Sequence, residues 1–560
     1  MINTLRGAVG RLLLALLLLA APRVWAQSPV WQMAMTMGGN TSQVNATATD
    51  GAGNVYIAGA FTGTVNFGGI SLTSQGPNFD AFVAKWSPAS YGFVWAQRAG
   101  GTGTEMANGV AVEGNGVYIV GEFSSTPAAF GSTLLTNSGT TPMYPQSDIF
   151  VAKLVDAGTS ASFAWAQGIG SSQYGRDAGN AIVASGTSVY IAGTVGPAAR
   201  FGTLALAGGS TMFVAKLTDA GSSSTFSWVQ PAGGGDAEDN ATALALNGNN
   251  LYVAGYFYNG ATFGSIALTS TSSCRPCRYR DMFVAKLVDG GTTPSFGWAE
   301  RTPGEATALD VDGSNVYVAG VFNGTTTFGG TVLTSNGTSQ DIFVAKLSDL
   351  GSSVSFGWAQ RAGSSYLDWV TGIKAKVGSV YITGFFGDDI VLGNTTLVSA
   401  GGREVYVAKL TDAGATSNFV WAQRAGNVGT EQGSALALAG SKIYVGGYTL
   451  SRTIDFSGSL LTNTGPAGYQ VGFFASLNDI ILSTTPSAST RQFGLFPNPA
   501  HASTIVELPA LAPLAGPVKL VLTDALGRTA RTEWVNLPAT GLRHDLDLTG
   551  LAPGLYAVRV

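Results

Sequence analysis

Apolar and polar positions alternate in short runs along most of this chain, and the same runs keep returning. A V-Y-I-A-G-like pentad recurs with its tyrosine at Tyr56, Tyr118, Tyr190, Tyr252, Tyr317, Tyr381 and Tyr444. An F-V-A-K-L-like pentad begins at Phe82, Phe150, Phe213, Phe283, Phe343, Tyr406 and Phe473. A tryptophan, mostly inside W-A-Q, stands at Trp31, Trp95, Trp165, Trp228, Trp298, Trp358 and Trp421. Successive tyrosines lie 62 to 72 residues apart. Runs this short, bounded by Gly, Asn and Asp, predict strands joined by tight turns.

Each repeat resolves into four strands. In the second, Gly109 to Glu113 is strand A, Gly116 to Phe123 strand B, Phe150 to Leu154 strand C and Phe163 to Gln167 strand D. Strands B and C are apolar on both faces, so each sheet is expected to be covered on both sides. Four-stranded sheets repeated radially predict an all-β, seven-bladed β-propeller over residues 27–482. The array opens on a D-type strand at Trp31 and ends on a C-type strand at Phe473. Strand Val30 to Ala34 is therefore predicted to complete the seventh blade and close the ring, which removes exposed sheet edges. Residues 483–492 read as a linker. Residues 493–560 read as alternating strands and turns, consistent with a small Ig-like β-sandwich.

Composition sharpens this picture. Charged residues make up 11% of the 560 residues, and the 77 glycines imply many turns. The net charge of −4, without a Lys/Arg cluster, lacks the basic footprint of nucleic-acid binding. Arg6 and Arg11, the apolar run Leu12 to Ala20 and Val24-Trp25-Ala26 read as a signal peptide over residues 1–26. No apolar run of membrane-spanning length follows, so the mature chain is expected to be exported and to lack a transmembrane segment.

The repeats, for example Asn315-Val316-Tyr317-Val318-Ala319-Gly320 and Asp341-Ile342-Phe343-Val344-Ala345-Lys346-Leu347, resemble the bacterial SBBP-type β-propeller repeat family. That resemblance implies fold and export but no single activity. The stretches Phe496-Pro497-Asn498-Pro499-Ala500, Thr523-Asp524-Ala525-Leu526-Gly527-Arg528 and Leu548 to Val560 resemble the type A C-terminal sorting domain of type IX secretion substrates. This second resemblance implies a Bacteroidetes-type host, the type IX machinery as partner, and a cargo released or attached to the outer cell surface. Members of that family continue with a last, basic strand, whereas this chain stops at Val560, which reads as a truncated or defective sorting signal.

Both histidines, His501 and His544, lie in the C-terminal module. Residues 27–482 therefore cannot hold a Ser-His-Asp triad, Cys-His chemistry or a His-ligated zinc. A carboxylate-pair glycosidase or lyase stays open, although no sialidase-like Asp box is visible. Thirteen residues before the repeat tyrosine stand Glu105, Asp177, Asp239, Asp368 and Glu431; Gln43 and Gly304 break the series, with Glu305 adjacent to the latter. These acids read either as a ring near the channel mouth that attracts Ca²⁺, or as loop pins that accept backbone N–H bonds. The second reading is favoured because a residue repeated in every blade usually serves the blade.

Lys85, Lys153, Lys216, Lys286, Lys346 and Lys409 share one position of strand C and are expected to snorkel to a blade edge. The tryptophans are expected to pack between blades, and Arg98, Arg301, Arg361 and Arg424 to play a similar structural part. Cys274 and Cys277, the only cysteines, read as a local disulfide in the B–C loop of blade four. The B–C loops vary most in length, so their face is the expected ligand face, with Thr136, Tyr144, Arg275, Arg278 and Tyr279 as candidates. The resulting expectation is a secreted or surface-attached binding protein for polysaccharide or protein, with no obligatory cofactor. A purely structural scaffold is the alternative.

Overall fold

The computed structural model describes residues 29–139, 146–171, 177–206, 209, 211–233, 238–271, 280–337, 339–466 and 468–479, and, in a separate C-terminal unit, 494–496, 502–508, 516–524, 529–538, 542–552, 554 and 556–559. Among them the secondary structure is β-strand throughout.

The first unit contains seven successive antiparallel sheets with four main strands each, the second and fifth being extended to six strands by the hairpins Arg200–Phe201 with Leu204–Ala205 and Ile390–Leu392 with Thr395–Leu397. The first is Ser42–Thr49, Val55–Phe61, Asp80–Ser87 and Gly92–Ala99. The second is Glu105–Glu113, Gly116–Phe123, Asp148–Asp156 and Ala161–Gly170. The first strands of the third to sixth are Ala178–Ser185, Asn240–Asn247, Glu305–Asp312 and Trp369–Lys376. In the seventh, Glu431–Ala439, Lys442–Thr449 and Val471–Asn478 are joined by Trp31–Thr36 from the beginning of the chain. That pairing runs Met33 to Ser476 and Ala34 to Ala475. The first strands of successive sheets lie against one another, and that of the seventh lies against that of the first. The arrangement is all-β and propeller-like.

The apolar core lies between sheets. The pentad strands are buried on both faces, as Val55–Phe61 and Asp80–Ser87 show, because each sheet is sandwiched by its neighbours. Each cluster of buried side chains draws on adjacent sheets: Tyr56, Val83 and Trp95 of the first meet Val117, Phe123 and Phe150 of the second.

The B–C segments depart from expectation. Where loops are predicted, every repeat carries a short hairpin, such as Thr64–Phe67 with Ile70–Thr73, or Thr325–Phe328 with Thr331–Thr334. In five of them the cause is a buried phenylalanine before a turn glycine at positive φ, at Phe67-Gly68, Phe130-Gly131, Phe201-Gly202, Phe263-Gly264 and Phe328-Gly329, and the other two place Leu392-Gly393 and Phe456-Ser457 there, also at positive φ. The phenylalanine ring packs on the first aromatic of strand C, with centroids 5.0 Å apart for Phe67 and Phe82 and 4.8 Å for Phe130 and Phe150. The hairpins also lie along the fourth strand of the preceding sheet and cover its outer edge.

In the C-terminal unit, Gly494–Phe496, Ser503–Leu508 and Leu542–Asp547 form one three-stranded sheet. Thr529–Leu537, Gly516–Asp524 and Tyr556–Arg559 form a second. Val506, Leu520, Leu522 and Leu546 are the buried core between them.

Candidate functional site

The repeated polar residues resolve first, since what they do for the scaffold decides what is left for a ligand. Lys85 does not snorkel to an edge. Its ammonium lies 2.6 Å from Oδ2 of Asp156, in the following sheet, and both side chains are less than 10% exposed. Tyr56 Oη donates to the same oxygen at 2.7 Å, and Trp95 Nε1 to Oδ1 at 3.0 Å. A lone lysine buried there would be prohibitively desolvated, so the strand tolerates it only because the neighbour supplies the counter-ion. The same convergence occurs on Asp219, Asp289, Asp349, Asp412 and Asp479. The seventh junction differs on both sides: Ser476 stands in the lysine position and Pro88 in the aspartate position. Aromatic packing replaces the ion pair, with Tyr444 stacked on Phe474 at 5.5 Å and Trp86 edge-on to Phe474 at 5.8 Å.

The periodic acids are loop pins. Glu105 accepts from Gly101 N at 2.8 Å and Ser125 N at 3.0 Å, and Asp177 from Ser171 N at 2.7 Å and Gly196 N at 2.6 Å. Asp239 accepts from Tyr258 N, Asp368 from Ser364 N, and Glu431 from Asn427 N. All five are buried, so they do not present a carboxylate ring to an open channel. Among the described residues, no group of three or more His, Cys, Asp or Glu is placed to hold a metal ion. A second acid series, Asp80, Asp281, Asp341 and Glu404, accepts from Arg98, Arg301, Arg361 and Arg424. Members of the two series meet. A β-carbon on Gly100 would lie 2.7 Å from Asp80 Oδ1 and 2.9 Å from Glu105 Oε2, which is why that position is glycine. Burial, reinforced by the neighbouring carboxylate, pushes Glu105 and Glu431 upward and Asp368 to about 7.

Against this regular background the junction of the fourth and fifth sheets stands out. From Trp298 to Tyr317 the chain takes 19 residues, whereas the other junctions take 23 to 25. Pro303 occupies the position five residues after the tryptophan where Gly100, Gly170, Gly233, Gly363 and Gly426 stand. Those glycines bridge to the next hairpin through the backbone, as Gly100 N does to Ala129 O at 3.0 Å and Gly233 N to Thr262 O at 3.1 Å. Proline has no N–H to give. Here Thr302 Oγ1 donates to Thr327 O at 3.1 Å and Thr326 Oγ1 to Pro303 O at 2.8 Å instead.

Two cavities open at this junction. One of about 190 Å³ is lined by Arg280, Asp281, Glu305, Phe322 and Gln340 among others. Arg280 Nη1 lies 2.8 Å from Glu305 Oε2, and its guanidinium covers the rings of Tyr256 and Tyr258 at 4.4 and 5.3 Å. The other, a groove of about 600 Å³, runs past Leu268, Glu300, Arg301 and Thr325 to Thr327. Thr271 and Pro303 line both. A third cavity of about 500 Å³ is lined by residues of all seven first strands, mostly Ala, Val and Leu. Its charged lining residues are Asp310, Lys374 and Lys376, the first two 3.6 Å apart.

Of the expected ligand residues, Thr136 is exposed just after the hairpin of the second repeat. Tyr144, Arg275, Arg278, Tyr279 and the pair Cys274 and Cys277 lie outside the described residues. Glu300, Pro303 and Arg280 were not singled out from sequence; for Glu300 and Pro303 the signal was departure from the repeat, whereas Arg280 has a counterpart in Arg403 over Phe385 and departs in its pairing with Glu305.

No family model and no curated protein matches the chain. Solved structures similar to it include the endosialidase of phage phi92, at 9% identity over 91% of this chain and 80% of that one, with a TM-score of 0.35. Another is the sialidase of Trypanosoma rangeli in complex with sialic acid, at 9% identity over 91% and 67%, with a TM-score of 0.33. A glycoside hydrolase of family 32 from Bifidobacterium adolescentis shares 8% identity over 81% and 80%, with a TM-score of 0.25.

Proposed function

We propose that this chain is an exported, seven-bladed β-propeller of the SBBP-repeat kind, closed by its N-terminal strand, that binds a glycan at the junction of its fourth and fifth blades. The C-terminal unit serves as a sorting module of the type IX kind. The observation that carries the binding reading is the gathering of departures from the repeat at one place. A shortened connection, Pro303, and the Arg280–Glu305 pair over two tyrosines coincide with two adjoining cavities. Non-repeated polar and aromatic groups around a cavity suit ligand recognition better than blade construction. Hydroxyls of Thr271, Thr325 and Thr327, beside the apolar Leu268 and Pro303, suit a sugar, which has both polar edges and an apolar face.

Residues 27–560 displayed against a glycan array test the reading. Binding to one glycan class, lost in the charge-neutral double variant Arg280→Met/Glu305→Gln while thermal unfolding is unchanged, supports it. Absence of binding to every glycan would leave the scaffold reading in its place.

A further inference from the structure

One residue at this junction has no counterpart in its series. The residue two after the repeat tryptophan is Gln97, Gln167, Gln230, Gln360 and Gln423 in five repeats, Met33 in the seventh and Glu300 in the fourth. The glutamine has a task. Gln97 Nε2 donates to Ala161 O at 2.7 Å, Gln167 to Ser224 O at 3.1 Å, and Gln360 to Ser417 O at 2.7 Å. Each acceptor belongs to the fourth strand of the next sheet. An ionised carboxylate is an acceptor only and cannot make that bond. Glu300 has accordingly given up the stitch between sheets, and among the described residues its side chain has no hydrogen-bond partner.

Its surroundings do not compensate the charge. The cation that acts on it, Arg301, already places Nη1 2.8 Å from Asp281 Oδ2. Glu300 is partly buried, and its carboxyl is pushed up by that burial against the weaker pull of Arg301. It lines the groove of about 600 Å³ together with Thr325, Thr326 and Thr327. Leaving a half-buried carboxylate without a donor costs stability. A ligand that brings a donor into the groove recovers that cost on binding.

We propose that this groove binds a sugar carrying a primary ammonium group, with the ammonium on Glu300 and ring hydroxyls on the threonine wall. The ammonium is the donor the carboxylate lacks, and a charge-assisted bond in a partly desolvated groove outweighs one to a neutral hydroxyl. The inference rests on the proposed role of this junction and names the chemistry of its ligand.

Calorimetric titration of residues 27–560 with glucosamine tetrasaccharide, its fully N-acetylated counterpart and a neutral glucose tetrasaccharide tests it. The free-amine oligomer is expected to bind, and both others to bind about tenfold or more weakly. Glu300→Gln installs the side chain that five of the other repeats carry, so it should fold and unfold like the wild type. It is expected to abolish the preference. Equal binding of the three oligomers, no binding of the free-amine oligomer, or a preference that survives Glu300→Gln overturns the proposal. Equal binding of all three would still leave the junction a glycan site, so the two readings fail separately.

Discussion

Lys85 and Asp156 lie 71 residues apart in sequence, yet their charged groups meet at 2.6 Å across the boundary between two sheets. The aspartate also takes hydrogen bonds from Tyr56 and Trp95, so three of the most conspicuous repeated residues of one sheet converge on one carboxylate of the next. Six such junctions recur, and the one without the pair is the junction joining the last sheet to the first.

Removing one partner should be far worse than removing both. Lys153→Met leaves Asp219 buried and uncompensated, and should cost about 3–5 kcal/mol. The double variant Lys153→Met/Asp219→Asn should recover part of that loss, because the asparagine oxygen still accepts from Trp165 and its amide nitrogen can donate to Tyr118 Oη. Urea unfolding of both variants measures the difference, and equal losses would show that the pair is not coupled.

Stability should peak in mildly acid solution. Burial holds Asp148 up at about 6 and Asp368 at about 7, against an ordinary value of 3.8. The folded state thus keeps protons that the unfolded chain releases, and stability falls as pH rises from about 4 through 7. Asp156, Asp219, Asp289, Asp349 and Asp412 act oppositely. Burial works against their charge, but the lysine and tyrosine hydrogen bonds outweigh it and hold them below the ordinary value. Their contribution is complete above that value and is lost as pH falls through their lowered pKa values. Melting temperatures between pH 3 and 8 should therefore be highest at about pH 4–5. Asp368→Asn should flatten the decline on the alkaline side, whereas a steady rise to pH 7 would contradict the assignment.

The aromatic seam should reject a charge placed on one side only. Ser476→Lys puts an ammonium opposite Pro88, where no carboxylate waits, and should destabilise by about 3–5 kcal/mol. Adding Pro88→Asp should restore part of the loss. Deleting residues 27–36 removes the strand paired with Val471–Asn478 and exposes that edge. Size-exclusion chromatography of the deletion variant should then show self-association.

Gly363 abuts an acid as Gly100 does, since a β-carbon there would lie 2.3 Å from Asp341 Cγ. Gly363→Ala should cost about 1–3 kcal/mol through overpacking. An alanine at Gly313, where a β-carbon meets nothing within 4 Å but φ is +60°, separates crowding from backbone strain in the same unfolding assay.

Sequence alone determined the strands, their order in each repeat and the place of the N-terminal strand. All of these follow from local alternation and turn residues, which the chain repeats seven times. The pairing of the N-terminal strand with the last repeat was legible because the array began on a D strand and ended on a C strand, whereas its register came from the structure. The phenylalanine–glycine hairpins were also written in five of the seven repeats but were hidden by the unequal loops that follow them. Tertiary structure alone decided what the repeated charges do. A lysine in an apolar strand looks like a snorkelling side chain until the neighbouring sheet delivers Asp156, and a periodic acid looks like a metal ring until loop N–H groups are seen to occupy it. Glu300 and Pro303 became meaningful only once the structure showed what Gln97 and Gly100 do in their positions. The division has a physical cause: strand periodicity is a property of consecutive residues, whereas the partner of a buried charge is chosen by packing across sheets.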